Sequence, residues 1–197
     1  TEPSFPANQP FSFSESGYYL ILTDSSSISK SDDTTKKPDT GTSPIFAVIG
    51  GSPVSVIEKT SIPTVNKAIY DDEDNEWTLG GSDILTSPNM GADSSIGQYV
   101  NYQLVGTVAS NINTYGSYEY TFKDKLPETM TPKYKGNEGS GALDVTVKIN
   151  GESVVEGCSV DYRDHVLTVH FGDLKNCKDA NGQTIDGSAD SRVTVEY

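Results

Sequence analysis

The sequence predicts an all-β fold, and three features indicate it. Short runs rich in valine, isoleucine, threonine and aromatic residues recur along the 197 residues, as β-strands require. Eighteen glycines and ten prolines supply frequent turns between those runs. No segment keeps a helical period for the roughly ten to twelve residues that a helix assignment needs. A β-sandwich, which joins many short strands by turns, satisfies all three features.

In residues 1–61 the sequence predicts three strands and one long loop. The polar, nearly apolar-free stretch at residues 25–43 (SSSISKSDDTTKKPDTGTS) indicates an exposed loop. The strands are predicted at residues 12–22 (SFSESGYYLIL), 44–50 (PIFAVIG) and 53–58 (PVSVIE).

In residues 62–197 the sequence predicts a longer series of strands. The Asn150-Gly151 pair is a strong signal for a two-residue hairpin, and residues 173–177 favour a short helical turn. The predicted strands are residues 64–70, 97–109, 117–123, 142–149, 166–171 and 192–197.

Composition excludes two classes of partner. The chain has 28 acidic and 14 basic residues, for a net charge of −14. Nucleic-acid binding needs a basic stripe that neutralises phosphates, and the sequence has none. No apolar run approaches the roughly 20 residues of a membrane span, so we expect no membrane insertion.

Motifs for catalytic turnover and for cofactor binding are lacking in the sequence. The two histidines, His165 and His170, lie in or beside one predicted strand, where a spacing of five residues places them on opposite faces. No nucleophile elbow, zinc-protease motif, P-loop or dinucleotide fingerprint is present. We therefore expect a protein that is not a turnover enzyme and that has no cofactor.

The acidic run at residues 71–76 (DDEDNE) raises the question of a metal site. Asp72, Asp74 and Glu76 alternate as calcium ligands can, but the glycine and the distal glutamate of an EF-hand loop are missing. An exposed acidic loop explains the run better than a metal site does.

The two cysteines, Cys158 and Cys177, predict a disulfide that closes a loop of about 20 residues. Two unrelated free thiols are the alternative. No cysteine or histidine spacing typical of a metal site accompanies them.

Lys67 and Asp124 stand out because each is an ionisable residue in an apolar pattern. Alternation in residues 64–70 (TVNKAIY) places Lys67 on the face of Val65 and Ile69. Alternation in residues 118–124 (YEYTFKD) places Asp124 on the face of three aromatic side chains. A charged residue on a core face is unfavourable unless it is paired or neutral. A buried ion pair between the two is the simplest interpretation.

The order of three segments, residues 63–67 (PTVNK), 95–102 (SIGQYVNY) and 118–126 (YEYTFKDKL), resembles the isopeptide-forming domain of Gram-positive fimbrial shaft proteins. Residues 17–20 (GYYL) and 56–59 (VIEK) resemble the closing strands of the domain that precedes it in such pilins. The resemblance implies an immunoglobulin-like β-sandwich of the collagen-adhesin type at residues 62–197. Residues 1–61 would then hold the C-terminal strands of a preceding β-sandwich domain and the long polar loop.

In the family that this chain resembles, a lysine of the first strand forms an amide bond with an asparagine of the last strand, assisted by an acid. Carried over, Lys67 is the amine and Asp124 the assisting acid, and the acceptor asparagine is expected beyond Tyr197. Burial can supply a neutral amine beside a protonated acid, because it disfavours both charged forms. Lesser candidates for these roles are Lys59, Lys125 and Glu128, and lesser candidates for the acceptor are Asn176 and Asn181.

The resemblance implies a pilus or cell-wall-anchored surface protein outside the cell, with neighbouring pilin or surface-protein domains as partners. A tip adhesin that binds a host protein or glycan has the same fold and is the alternative function. An exposed aromatic groove would favour the adhesin, and Trp77 is the one residue of the sequence that suggests such a groove.

Overall fold

The computed structural model describes residues 9–24, 26, 28, 39–40, 44–56, 61–71, 76–80, 94–136, 141–189 and 191–197, and within them the protein is nearly all β. Helical structure in these ranges is short and includes the 3₁₀ turns Ile112–Thr114 and Leu174–Asn176. The strands are β1 (Gly17–Ile21), β2 (Asp39–Thr40), β3 (Ile45–Ile49), β4 (Ser61–Ile62), β5 (Val65–Asp71), β6 (Glu76–Gly80), β7 (Tyr102–Thr107), β8 (Tyr120–Lys125), β9 (Thr146–Ile149), β10 (Glu152–Ser153), β11 (Cys158–Arg163), β12 (Val166–Phe171) and β13 (Arg192–Glu196).

The chain divides into two compact units. The first comprises residues 1–30 and 40–60, and the second comprises residues 31–39 and 61–197. In the first unit β1 and β3 pair antiparallel. One face of this pair carries the buried Ala47, and the other face exposes apolar side chains, among them Tyr18 and Phe46.

The prediction of a strand at residues 53–58 is wrong for residues 53–56, the part that the structure describes. Residues 53–56 form no strand. Val54 and Val56 are exposed, so the apolar side chains that suggested a strand have no core to pack against.

The second unit contains a six-stranded sheet and a three-stranded sheet. The strand order is β10-β9-β13-β7-β5-β6 in the larger sheet and β11-β12-β8 in the smaller one. β13 lies between β7 and β9, where Val195 is opposite Leu104 on one side and Val147 on the other. The centre of the larger sheet is therefore built from strands that are distant in sequence.

One hydrophobic core lies between these two sheets. In β12 and β13 every second residue is buried, which is the period of two that a strand with one face on a core requires. The core includes Leu104, Val147, Ile149, Val193 and Val195 from the larger sheet and Phe122, Leu167, Val169 and Phe171 from the smaller one.

Two local predictions are confirmed by backbone geometry. Asn150 and Gly151 have φ values of 53° and 86° and join β9 to β10, as a two-residue hairpin turn requires. The predicted helical turn is the 3₁₀ turn Leu174–Asn176, which begins after Asp173, whose carboxylate accepts a hydrogen bond from the Lys175 amide.

β6 and β11 were not predicted from the sequence. Both lie at an edge of their sheet, where only one side of a strand has a neighbour and the apolar pattern is weak. β11 (CSVDYR) keeps most of its side chains exposed. Its sequence therefore has too little alternation of apolar and polar residues to predict a strand.

Candidate functional site

The two sheets bring Lys67 and Asp124 together. Lys67 lies on β5, opposite Leu104 of β7, and so shares a face with a core residue. Asp124 lies on β8, opposite Leu167 of β12, on the facing sheet. The Nζ atom of Lys67 is 2.7 Å from Oδ2 of Asp124. The two residues that alternation placed on core faces therefore form a hydrogen-bonded ion pair.

The pair is partly removed from solvent. The side chain of Lys67 is 34% exposed and that of Asp124 is 15% exposed. The acid is therefore the more buried partner. Both side chains of the Lys67–Asp124 pair are more buried than those of the surface pair Lys133–Asp144, which are 53% and 35% exposed.

Two tyrosines complete the site. The hydroxyl of Tyr197 donates a hydrogen bond of 2.5 Å to Oδ2 of Asp124, the oxygen that also accepts from Lys67. The Nζ atom of Lys67 lies 4.4 Å from the centre of the Tyr102 ring. Within the described part of the chain, Oδ1 of Asp124 accepts no hydrogen bond. Asp124 thus keeps one oxygen available for a further group.

The environment of the site acts on both tyrosines. The pKa of Tyr197 is raised, first by burial and then by the hydrogen bond that its hydroxyl donates to Asp124. The pKa of Tyr102 is also raised, by burial and by the nearby Asp124 charge. Both hydroxyls therefore keep their protons over the physiological pH range.

Sequence reasoning missed both tyrosines as members of the site. Tyr102 lies within the strand predicted at residues 97–109 and Tyr197 ends the strand predicted at residues 192–197, but no sequence pattern says that those strands are neighbours. The available signal was their register: each occupies an alternating position on the face that carries core residues.

The lesser candidates lie apart from the pair or outside the described residues. Lys125 and Glu128 are exposed. The amide of Asn176 donates to Asp173 and that of Asn181 to Asp179. Neither asparagine therefore serves as a partner of Lys67 in this structure, and Lys59 lies outside the described residues.

Cys158 and Cys177 are both free thiols in the structure, which does not form the predicted disulfide. An antiparallel bridge joins Glu156 to Lys178 and thereby places Gly157, not Cys158, opposite Cys177. A Cβ atom built on Gly157 would lie 2.9 Å from Cα of Cys177 and 3.2 Å from its Sγ. Cys158 is therefore one residue out of register with Cys177.

The weak metal candidates remain predictions. Asp72 and Asp74 lie outside the described residues, and Glu76 is described only as part of β6. Among the residues that the structure does describe, no cluster of three or more potential ligands could hold a metal ion.

A groove opens beside the ion pair. Its volume is about 680 Å³, and Tyr102 and Tyr197 line both the groove and the ion-pair site. Its wall carries aromatic side chains and polar ones side by side, among them Trp77, Tyr99, Gln98, Asp144 and Glu196. Such a mixture can contact a ligand through ring faces and hydrogen bonds at once.

No protein-family model, curated protein or solved structure matches this chain. In the described ranges, no helix has the length and hydrophobicity of a membrane-spanning segment. The case for a function therefore rests on the geometry of the site.

Proposed function

We propose that this chain is a structural module of a Gram-positive pilus or cell-surface stalk, and that Lys67 forms an amide crosslink there. Its two facing sheets would form an immunoglobulin-like sandwich of the collagen-adhesin type. The observation that carries the proposal is the 2.7 Å contact between Lys67 and Asp124, which come from opposite sheets and lie against aromatic rings. The partners in this proposal are neighbouring pilin or surface-protein domains outside the cell.

The proposed chemistry needs no cofactor and happens once per molecule. Lys67 passes a proton to Asp124, and the neutral amine attacks the side-chain carbonyl carbon of an acceptor asparagine, which the resemblance to fimbrial shaft proteins implies beyond Tyr197. Protonated Asp124 donates a hydrogen bond to the carboxamide and stabilises the charge that develops on its oxygen. The new bond joins Nζ to carbon, the bond from that carbon to its amide nitrogen breaks, and ammonia leaves.

The free oxygen of Asp124 supports this role. Oδ2 holds both Lys67 and Tyr197, so Oδ1 is the atom that can face a carboxamide. Folding holds the groups together and replaces an encounter in solution by a reaction at fixed geometry.

The crosslink would stabilise the module against unfolding and extension. It would join β5 to the segment that follows β13, and so close most of the second unit into one loop. In the chain-entropy model, closing a loop of roughly 130 residues stabilises the folded state by about 5 kcal/mol.

Intact mass under reducing, denaturing conditions tests the proposal. The 197-residue chain is compared with a version extended past Tyr197 by the segment that the resemblance expects to hold the acceptor asparagine. The longer chain is expected to be lighter than its sequence by one ammonia, and its Lys67→Ala variant to keep the full mass. Lys125→Ala, which removes an exposed lysine next to Asp124, is the matched control and should still lose ammonia. Full masses for all chains would overturn the proposal.

A tip adhesin is the second candidate, and the groove favours it. Trp77 is the single tryptophan of the chain and lines the groove, so its fluorescence reports directly on occupancy. A host glycan or protein fragment that binds there should change this fluorescence with saturation. The Tyr99→Ala variant, which removes a second ring from the wall, should weaken the binding. Binding that leaves the tryptophan signal unchanged would place the ligand elsewhere.

A further inference from the structure

Two contacts at the site favour the charged forms of its two ionisable groups. Tyr197 donates a 2.5 Å hydrogen bond to the Asp124 carboxylate. A donor to an ionised acid stabilises the charge and opposes protonation. Lys67 holds its ammonium over the face of the Tyr102 ring at 4.4 Å, and the negative face of an aromatic ring attracts a cation.

The two tyrosines form one rigid unit. Their rings are stacked, with centroids 5.7 Å apart. Their main chains exchange two hydrogen bonds, of 2.8 and 3.0 Å. The two contacts to the ion pair are therefore made by side chains that pack against each other.

Amide formation needs the opposite protonation states, because only a neutral amine attacks and only a protonated acid donates to the carboxamide. We propose that Tyr197 and Tyr102 are positioning residues that hold Lys67 and Asp124 as a charged pair and thereby restrain the crosslinking reaction. This inference rests on the proposed function. The pair is then a stored form, and the reaction proceeds when a carboxamide at Oδ1 of Asp124 favours transfer of the Lys67 proton to the carboxylate.

In the described strands, the residues opposite Lys67 and Asp124 carry no titratable group. β7 presents Leu104 and β6 presents Gly80 opposite Lys67, and β12 presents Leu167 opposite Asp124. Lys123 and Lys125 neighbour Asp124 in sequence, but their side chains are exposed on the other face of β8. Tyr102 and Tyr197 are titratable groups that contact the pair directly.

The first test asks whether the two tyrosines hold the pair in the 197-residue chain. In crystal structures of Tyr197→Phe and Tyr102→Leu, the contact between Nζ of Lys67 and Oδ2 of Asp124 should lengthen beyond 2.7 Å. Tyr162→Phe is the control and should keep the contact, because its hydroxyl contacts His165 at 3.4 Å and not the pair. An unchanged contact in both site variants would overturn the inference.

The second test follows loss of ammonia in the extended chain. Tyr197→Phe should form the crosslink about tenfold faster than wild type, the rate equivalent of one weak charge-assisted hydrogen bond. A tyrosine that served packing alone would leave the rate unchanged or slow it. An equal or slower rate, in a chain that does crosslink, overturns the inference and leaves the proposed function standing. A lengthened contact between Lys67 and Asp124 in a chain that never crosslinks supports the positioning role and overturns the proposed function.

Discussion

Tyr102 and Tyr197 are joined twice, by reciprocal main-chain hydrogen bonds and by stacked rings. The main-chain bonds extend the pairing of β7 with β13 by one residue beyond Glu196. The end of β13 is therefore fixed in register, and the Tyr197 hydroxyl is held within reach of Asp124.

Stability at alkaline pH should depend on Tyr197. Burial and the hydrogen bond to Asp124 raise its pKa in the folded state above the unfolded value of about 10. The folded protein therefore keeps a proton that the unfolded chain loses, and this stabilisation is present below about pH 10 and is lost progressively above it. In Tyr197→Phe, the fall in the free energy of unfolding above about pH 10 should be shallower by about 1.4 kcal/mol per pH unit.

Urea unfolding at a series of alkaline pH values measures this slope. Tyr18→Phe is the control, because Tyr18 is 88% exposed. Equal slopes for the Tyr197 variant and the wild type would show that the hydroxyl is not held as the structure indicates.

Removing one partner of the ion pair should destabilise the fold. In Asp124→Leu the Lys67 ammonium loses its partner in a partly buried place, and we expect a loss of about 1–3 kcal/mol. The double variant Lys67→Met/Asp124→Leu should lose less than the sum of the single variants, because it leaves no unpaired charge. Denaturant unfolding of the four chains measures the coupling.

The surface pair Lys133–Asp144 supplies a matched comparison. Its side chains are more exposed, so Lys133→Met should change stability by less than about 1 kcal/mol. Strictly additive effects at Lys67 and Asp124 would contradict an energetic link between them.

Gly106 should not tolerate a side chain. A Cβ atom at this position in β7 would lie 2.8 Å from Cζ of Phe122 and still closer to the Tyr120 hydroxyl. Overpacking of this kind costs about 1–3 kcal/mol, so Gly106→Ala should lower the midpoint of urea unfolding. Gly116→Ala, where nothing lies within 4 Å of an added Cβ, is the control and should have little effect. If Gly106→Ala left the midpoint of urea unfolding unchanged, β7 and β8 would have to separate easily to make room for the added Cβ atom.

The two thiols should react slowly in the folded protein. Burial raises the pKa of Cys177 to about 11, with smaller contributions from Cys158 and Asp173, and burial also raises the pKa of Cys158. Because the thiolate is the reactive form, iodoacetamide at about pH 8 should label Cys177 mainly after unfolding. Fast labelling of Cys177 in the native protein would contradict its burial.

The disulfide between these cysteines stays a prediction that mass spectrometry can decide. Incubation with a disulfide oxidant, followed by denaturation without reductant, should lower the mass by two hydrogens if the bond forms. Because Cys158 and Cys177 are one residue out of register, formation requires a local shift near Gly157. Cys158→Ser is the control and should show no such loss.

Alternation along single strands made much of the second unit predictable. It placed Phe122 and Asp124 on one face of β8, and it placed Lys67 on the face that carries Leu104. It could not show which strands are neighbours, because sheet order depends on contacts between residues far apart in sequence. Tyr197 therefore remained unassigned to the site until the pairing of β13 with β7 was known. Edge strands such as β11 escaped prediction because a strand with one neighbour needs little apolar patterning.

The position of β13 also has a consequence for biosynthesis. A ribosome makes this strand after all the other strands described here, yet it belongs between β7 and β9 at the centre of the larger sheet. Until β13 emerges, β7 and β9 have no shared neighbour, and the nascent chain exposes the unpaired edges of both. Such an arrangement has many contacts between distant residues and folds slowly. The growing chain would thus depend on protection from aggregation until its synthesis has passed Glu196.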